Sequence, residues 1–255
     1  MLFKNTFESI PALRFVYENL RLTSVLGRHY LLDLPFCTDA EALRAEFDLM
    51  EGTAALVRDD TCRAAISHLR NQLHQINDIR PTLSAMDGGQ VLDDIQLFEI
   101  KKTAILTEAI AKDLATVQCT LFPLKEMDEV IARLDPEHTH IPHFHIYSAY
   151  DPELAKWRER IQNAHSAQEA EEFRFQAQKV EDKVRARLTE LVRPWSDAIA
   201  RNLDTIAHLD LVLAKVQLAA DWHCCRPEVA DHTELVQLSN PEVAAALADK
   251  GRRFQ

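Results

Sequence analysis

The stretch IAHLDLVLAKVQLA, Ile206 to Ala219, is apolar on nearly every face, interrupted only by His208, Asp210, Lys215 and Gln217. A helix of that composition belongs inside a protein body. Read upstream, it continues a stripe of apolar residues at Phe173, Ala177, Val180, Val184, Leu188, Leu191, Trp195, Ile199, Leu203, Ile206, Leu209, Leu213, Val216 and Ala220. The steps of three and four average roughly 3.6, the period of a straight α-helix, and at 1.5 Å per residue they span about 70 Å. Up to Leu191 the other faces are charged, so the pattern predicts one helix in two environments, an exposed arm and then a buried half. Pro194 predicts a bend or a restart between them, because proline removes a backbone hydrogen bond. Such a length suggests a lever rather than a catalytic pocket.

The rest of the chain also reads as helix. Only 5 glycines occur, at 27, 52, 88, 89 and 251. Glycine supplies the positive-φ positions of hairpins and phosphate loops, so the long gap between Gly89 and Gly251 argues against β-structure there. No G-x-G-x-x-G and no G-x-x-x-x-G-K-[ST] is present. An all-α fold is the expectation. Thr6 or Asn5, Thr38 or Asp39, Asp60, Asp151 and Ser166 stand where helix caps are wanted, Pro152 follows Asp151 at a first helical position, and Glu169 can complete a capping box with Ser166. Leu2 to Gly27 reads as a helix pair that Pro11 kinks or breaks, Gly27 can end a later turn, and Ser84 to Gly89 reads as a loop. Ile95, Phe98, Ile105, Leu106, Ile110 and Leu114 are expected on the inner face of a long helix.

The net charge of −11 gives no general attraction to polyanions, so any nucleic-acid contact must be local. The 5 cysteines, at 37, 62, 119, 224 and 225, form an odd set without C-x-x-C spacing, and no secretory leader or apolar run of membrane-spanning length is visible. A reduced, cytoplasmic protein without a membrane partner is expected.

Several segments, in order along the chain, resemble the core, or lever, region of MutS-family DNA mismatch repair proteins. Ser24-Val-Leu-Gly27-Arg28 resembles an early S-x-x-G-R helix end, and Leu34-Pro-Phe-Cys-Thr-Asp39 the turn before the next helix. Tyr150-Asp-Pro-Glu-Leu-Ala-Lys-Trp-Arg158 resembles the start of the outgoing lever helix, Ile206-Ala-His-Leu-Asp210 with Ala214 the end of the returning one, and Asn240-Pro241 the approach to an ATPase domain. The resemblance implies a multi-helical core with a projecting long helical hairpin. It divides the chain into a helical core over 1–134, a short extended connector over 135–150, a lever hairpin over 151–205, and a returning helix over 206–255 that leads toward an ATPase. Between Asp151 and Asp210 there is room for a hairpin turning near Ala164–Ala167 but none for a β-rich clamp. The chain stops at Gln255, about where the ATPase sheet is expected. ATP and Mg²⁺ are then expected only in that missing domain, the parent being a DNA-dependent ATPase that dimerises largely through it.

What the resemblance implies for this chain is a non-catalytic lever that couples ATPase state to DNA or to a partner. The alternative is a helical protein–protein interaction module that has lost DNA binding. From Glu153 to Glu190, eight acidic residues stand against eight basic ones, whereas a surface that tracks phosphates wants a basic excess. The candidate contacts for duplex or branched DNA are Arg158, Arg160, Arg174, Lys179 and Lys183. They are interleaved with acids at helical spacing, so intrahelical pairing on a solvated face competes with that role. Asp210 sits in the apolar block, where an unpaired charge is expensive, and therefore needs a structural partner, a coupling role, or both.

No catalytic set and no cofactor site stands out. In His138-x-His140-x-x-His143-x-His145 an extended backbone puts His143 and His145 on one side, with Tyr147, and Phe144 and Ile146 on the other. Two imidazoles on one side suit Zn²⁺, but no nearby cysteine completes a tetrahedral set and the resemblance implies no metal, which leaves histidines on a solvated edge. His223-Cys224-Cys225 with Asp231-His232 is a second cluster. Adjacent cysteines point apart on a helix, and small apolar filling at a helix end is the expected role. Asp59-Asp60 and Asp93-Asp94 precede helices, where aspartate favours the amino-terminal dipole.

Overall fold

Aspartate and serine side chains start most of the long helices. Asp39 accepts from the backbone amides of Glu41 and Ala42, Asp93 from Gln96, Asp151 from Glu153 and Ser166 from Glu169, satisfying first-turn donors that have no partner within the helix. The computed structural model describes residues 2–139, 141, 143–236, 238–248 and 250. Among these the fold is all-α. The helices are α1 (Pro11–Asn19), α2 (Val25–Asp33), α3 (Ala40–Arg58), α4 (Arg63–Leu73), α5 (Arg80–Asp87), α6 (Asp94–Thr116), α7 (Asp128–Leu134), α8 (Pro152–Gln162), α9 (Ala167–Val192), α10 (Ser196–Asp221) and α11 (Pro241–Ala248). Short 3-10 turns lie at Phe3–Asn5, Asp60–Cys62, Ser148–Tyr150 and Arg193–Trp195. One antiparallel bridge, Leu2 to Pro35, is the only β-pairing among the described residues. No described helix is long and apolar enough to cross a membrane.

The chain forms two units. One joins the residues up to His74 with those from Ile206 onward, and the other comprises Gln75–Thr205. The residues 1–134 that the sequence groups together are thus shared between the two, and the boundary at 205/206 falls inside α10.

In the first unit, Leu22, Leu31, Leu211 and Ala214 form a buried cluster that Phe3, Tyr17, Leu20, Tyr30 and Leu34 flank. The apolar block of α10 lies within this core: Ile206, Ala207, Leu209, Leu211, Val212, Leu213, Ala214 and Val216 are all buried. In the second unit, α8 and α9 form an antiparallel pair joined by the turn at 163–166. The cross-contacts fix its sense: Arg187 bonds the carbonyl of Tyr150, Arg158 pairs with Glu181, and Trp157 packs on Phe173. The carboxy-terminal half of α9 lies on the start of α6, where Arg185 pairs with Asp94 at 2.7 Å and Thr189 Oγ1 accepts from the Leu92 amide at 3.0 Å.

Several expectations are corrected. The single helix expected over the apolar stripe is two, and of the bend or restart expected at Pro194 it is the restart that occurs, at Ser196 after a one-turn 3-10 segment. Pro11 neither kinks nor breaks a helix; it opens α1, where its missing N–H costs nothing. Gly27 ends no turn but lies in the first turn of α2. The expected loop over Ser84–Gly89 is mostly α5, started by Pro81 and held by buried Leu83 and Met86. On α6, Ile95 is 71% exposed, while Leu97, Ile100 and Ala104 face inward. Tyr147 keeps company with His145, 3.9 Å between ring centroids, but is buried rather than on a solvated edge.

Candidate functional site

Asp210 is the most constrained ionisable group of the first unit. It is 1% exposed, and its carboxylate accepts from the Thr23 amide at 3.0 Å, the Ser24 amide at 2.8 Å and the Ser24 hydroxyl at 2.6 Å. Ser24 in turn caps α2 by accepting from the Gly27 amide at 2.8 Å. A Cβ at Gly27 would stand 2.4 Å from Asp210 Oδ2 and 3.1 Å from Ser24 Oγ. Glycine is therefore needed here for close approach, not for an unusual φ. The partners of Asp210 are backbone amides and a hydroxyl. A short distance along α10, His208 and Lys215 converge on Glu46 of α3 at 2.9 and 2.7 Å. The His208 hydrogen bond, aided by Lys215 and opposed by burial, holds the Glu46 carboxyl down at about 2.

The α8–α9 pair carries the five candidate DNA contacts, in unlike surroundings. Arg158 is half-buried and committed, donating to Glu181 at 2.8 Å, to the Ile146 carbonyl at 2.6 Å and to Ser148 at 2.9 Å. Exposed Arg160 lies over the Trp157 ring at 4.8 Å and Lys179 over Phe175 at 4.3 Å. Arg174 pairs with Glu171 at 3.1 Å. Lys183 is exposed. Phe175 is itself 60% exposed, so α9 presents an aromatic ring with the Lys179 ammonium over it. Buried positions on α9 before Val180 are only Ala170 and Ala177, and from there onward they are Val180, Val184, Leu188, Thr189 and Val192.

The connector's His143 and His145 rings lie 5.4 Å apart, and the His145 ring packs against Tyr147 at 3.9 Å, tilted by 40°. Burial, with the nearby His143 and Arg158 charges, lowers the His145 pKa. His140 lies outside the described residues, and His138 adopts φ 52°. Among the described residues no three His, Cys, Asp or Glu side chains are grouped as a metal site. His232 bonds only its neighbour Asp231 at 2.9 Å among its shorter contacts. Cys224 and Cys225 lie beyond the end of α10 and are exposed, which removes the role of apolar filling expected for them.

No family profile matches this chain, and no curated protein does. The assignment of these sites therefore rests on their geometry.

One buried pair escaped the sequence reading. Lys101 of α6 is fully buried, donates to Asp135 at 3.0 Å and to the His143 carbonyl at 2.9 Å, and lies 5.7 Å from the Tyr147 ring centroid. Thr139 Oγ1 also donates to Asp135 at 3.0 Å. Together these bonds tie the connector to α6. The signal was available: Lys101 lies four residues after Leu97 and three before Ala104, on the buried face of the helix.

Proposed function

We propose that this chain is a MutS-like lever domain, without chemistry of its own, that couples the state of an ATPase to contact with DNA or a partner at the α8–α9 hairpin. The observation that carries the reading is the Asp210–Ser24–Gly27 junction. The two segments that carry much of the resemblance, 186 residues apart in sequence, meet there through a buried carboxylate. A helix that belongs to both units is what a coupling element requires, and α10 is divided between them at 205/206. Its first turns are tied within the second unit by Ser196 to Asp87 and by Asn202 to the Lys125 backbone. Its later turns are tied within the first unit by Asp210, His208 and Lys215. Nucleotide chemistry falls to an ATPase partner, because the sequence holds no phosphate-binding G-x-x-x-x-G-K-[ST]. ATP, Mg²⁺ and dimerisation through that partner belong to the same reading.

The second reading, a helical protein-interaction module without DNA binding, is favoured by the balance of charge on the hairpin and by the pairing of Arg158 and Arg174 with acids. Fluorescence anisotropy with homoduplex, mismatched and four-way junction DNA at about 50 and 200 mM salt separates the two. Binding that weakens steeply with salt supports the lever acting on DNA. Absence of binding at both salts leaves the interaction module.

A further inference from the structure

The end of α10 presents two adjacent exposed thiols that the lever reading does not use. The helix terminates with His223 at φ 53°, the Cys224 amide bonded to the Ala219 carbonyl at 2.8 Å and the His223 amide to Ala220 at 3.3 Å. That pair of bonds is a Schellman stop, and it fixes the chain direction just as Cys224 and Cys225 leave the helix. Both are free and exposed. They open onto a groove of about 670 Å³ whose apolar wall includes Phe47, Met50 and Ala54 of α3 with Val216 of α10. Arg226, the next residue, is held to α3 by Asp48 and Glu51, each at 2.7 Å, so the thiols sit between a fixed helix end and a fixed anchor. No other cysteine lines the groove.

We infer that Cys224 and Cys225 form a thiol–disulfide exchange site for small-molecule disulfides that seat in this groove. The thiolate of one cysteine attacks a sulfur of the small disulfide. That S–S bond breaks, one small thiolate leaves, and a mixed disulfide remains on the protein. The neighbouring thiolate then attacks the protein sulfur, forms the Cys224–Cys225 bond and expels the second small thiolate. The two cysteines lose two electrons and two protons, and the small disulfide becomes two thiols. Consecutive Cα atoms lie about 3.8 Å apart across a trans peptide, short of the usual disulfide range of roughly 4.4–6.8 Å, so a bond between neighbours closes only as a distorted eight-membered ring. The product ring is strained, and strained exposed disulfides are the readily reduced ones. The site is therefore reversible rather than structural.

The test treats the full chain with glutathione disulfide at neutral pH and reads intact mass and peptide maps. The wild type is expected to lose two hydrogens in the peptide that contains both cysteines, to retain no glutathionyl group there, and to recover on addition of reduced glutathione. The exposed single variants Cys224→Ser and Cys225→Ser are each expected to keep one stable glutathionyl group on the remaining thiol. A pair that stays reduced while exposed Cys37 is glutathionylated overturns the inference. So does a wild type that holds a lasting glutathionyl adduct at this pair.

Discussion

Asp210 Oδ2 accepts a hydrogen bond of 2.6 Å from Ser24 Oγ, and the same serine oxygen accepts from the Gly27 amide at 2.8 Å. One hydroxyl thus links a buried carboxylate on α10 to the first turn of α2. Removing the carboxylate leaves two backbone amides and the hydroxyl without their acceptor. Asp210→Ala is expected to cost about 3 kcal/mol of stability, since each buried unsatisfied group costs roughly 1–3 kcal/mol. Asp210→Asn keeps an acceptor oxygen and is expected to lose less. Urea denaturation of the two variants measures the difference, and equal losses would count against the hydrogen-bond account.

Gly27→Ala tests the same contact from the other side. Helix propensity alone favours alanine by about 1 kcal/mol, yet the new Cβ meets Asp210 Oδ2 at 2.4 Å. A net destabilisation of about 2 kcal/mol is expected, the scale of overpacking in a rigid site. The double variant Gly27→Ala/Asp210→Ala should lose less than the sum of the singles, because the clash is absent once the carboxylate is gone. Additive losses would place the effect of Gly27 elsewhere.

Lys101 and Asp135 are both buried, at 0% and 1% side-chain exposure. Lys101→Met leaves Asp135 buried without its cation, a change worth about 3–5 kcal/mol. Lys101→Met/Asp135→Asn should recover part of that loss. The connector should also become more open to proteolysis in the single variant, since Lys101 holds the His143 carbonyl. A single variant as stable as wild type would mean that the pair contributes nothing net.

Glu46 gives a prediction in pH. Its carboxyl lies at about 2 in the fold against an ordinary 4.5. The stabilisation is therefore complete above the ordinary value and is lost as pH falls through the folded one, which locates the effect between about 5 and 2. Glu46→Gln should flatten the acid limb of a stability–pH curve in that window and lower stability at neutral pH. A variant with an unchanged acid limb would assign the acid sensitivity to other carboxylates.

The helices and their starts were legible because caps and apolar spacing are local: Asp39, Asp93, Asp151 and Ser166 each act within three residues of themselves. What was not legible depends on distant partners. The need of Asp210 for a partner follows from its burial in an apolar run, but Thr23 and Ser24 stand more than 180 residues away. The role of Gly27 cannot be read without Asp210, and from the sequence alone a glycine near a helix pattern reads as a stop. The spacing of Lys101 from Leu97 and Ala104 puts it on the buried face of α6, but its partners Asp135 and the His143 carbonyl lie more than 30 residues away. The outward turn of Ile95 reflects a helix phase set by Leu97, Ile100 and Ala104, which the inclusion of Phe98 and Ile105 blurred. Spacing alone groups Arg158 with four other cations, although of the five only it bonds back to the connector.

That last distinction yields a prediction for the hairpin. Arg158 bonds Glu181, Ser148 and the Ile146 carbonyl, and its removal leaves half-buried Glu181 with only the longer 3.7 Å contact to Arg185. Arg158→Ala is expected to destabilise the chain by about 2 kcal/mol, within the range for loss of a charged hydrogen-bonded network. Arg160, Arg174, Lys179 and Lys183 are exposed, and alanine at each should leave stability within about 0.5 kcal/mol of wild type. If the hairpin contacts DNA, each of these four that neutralises a phosphate should reduce the slope of log affinity against log salt by about 1 when replaced. Thermal melts and salt-dependent anisotropy on the same five variants separate folding from binding. Four stable variants whose salt slopes match wild type would remove the DNA contact from this face while leaving the fold as described.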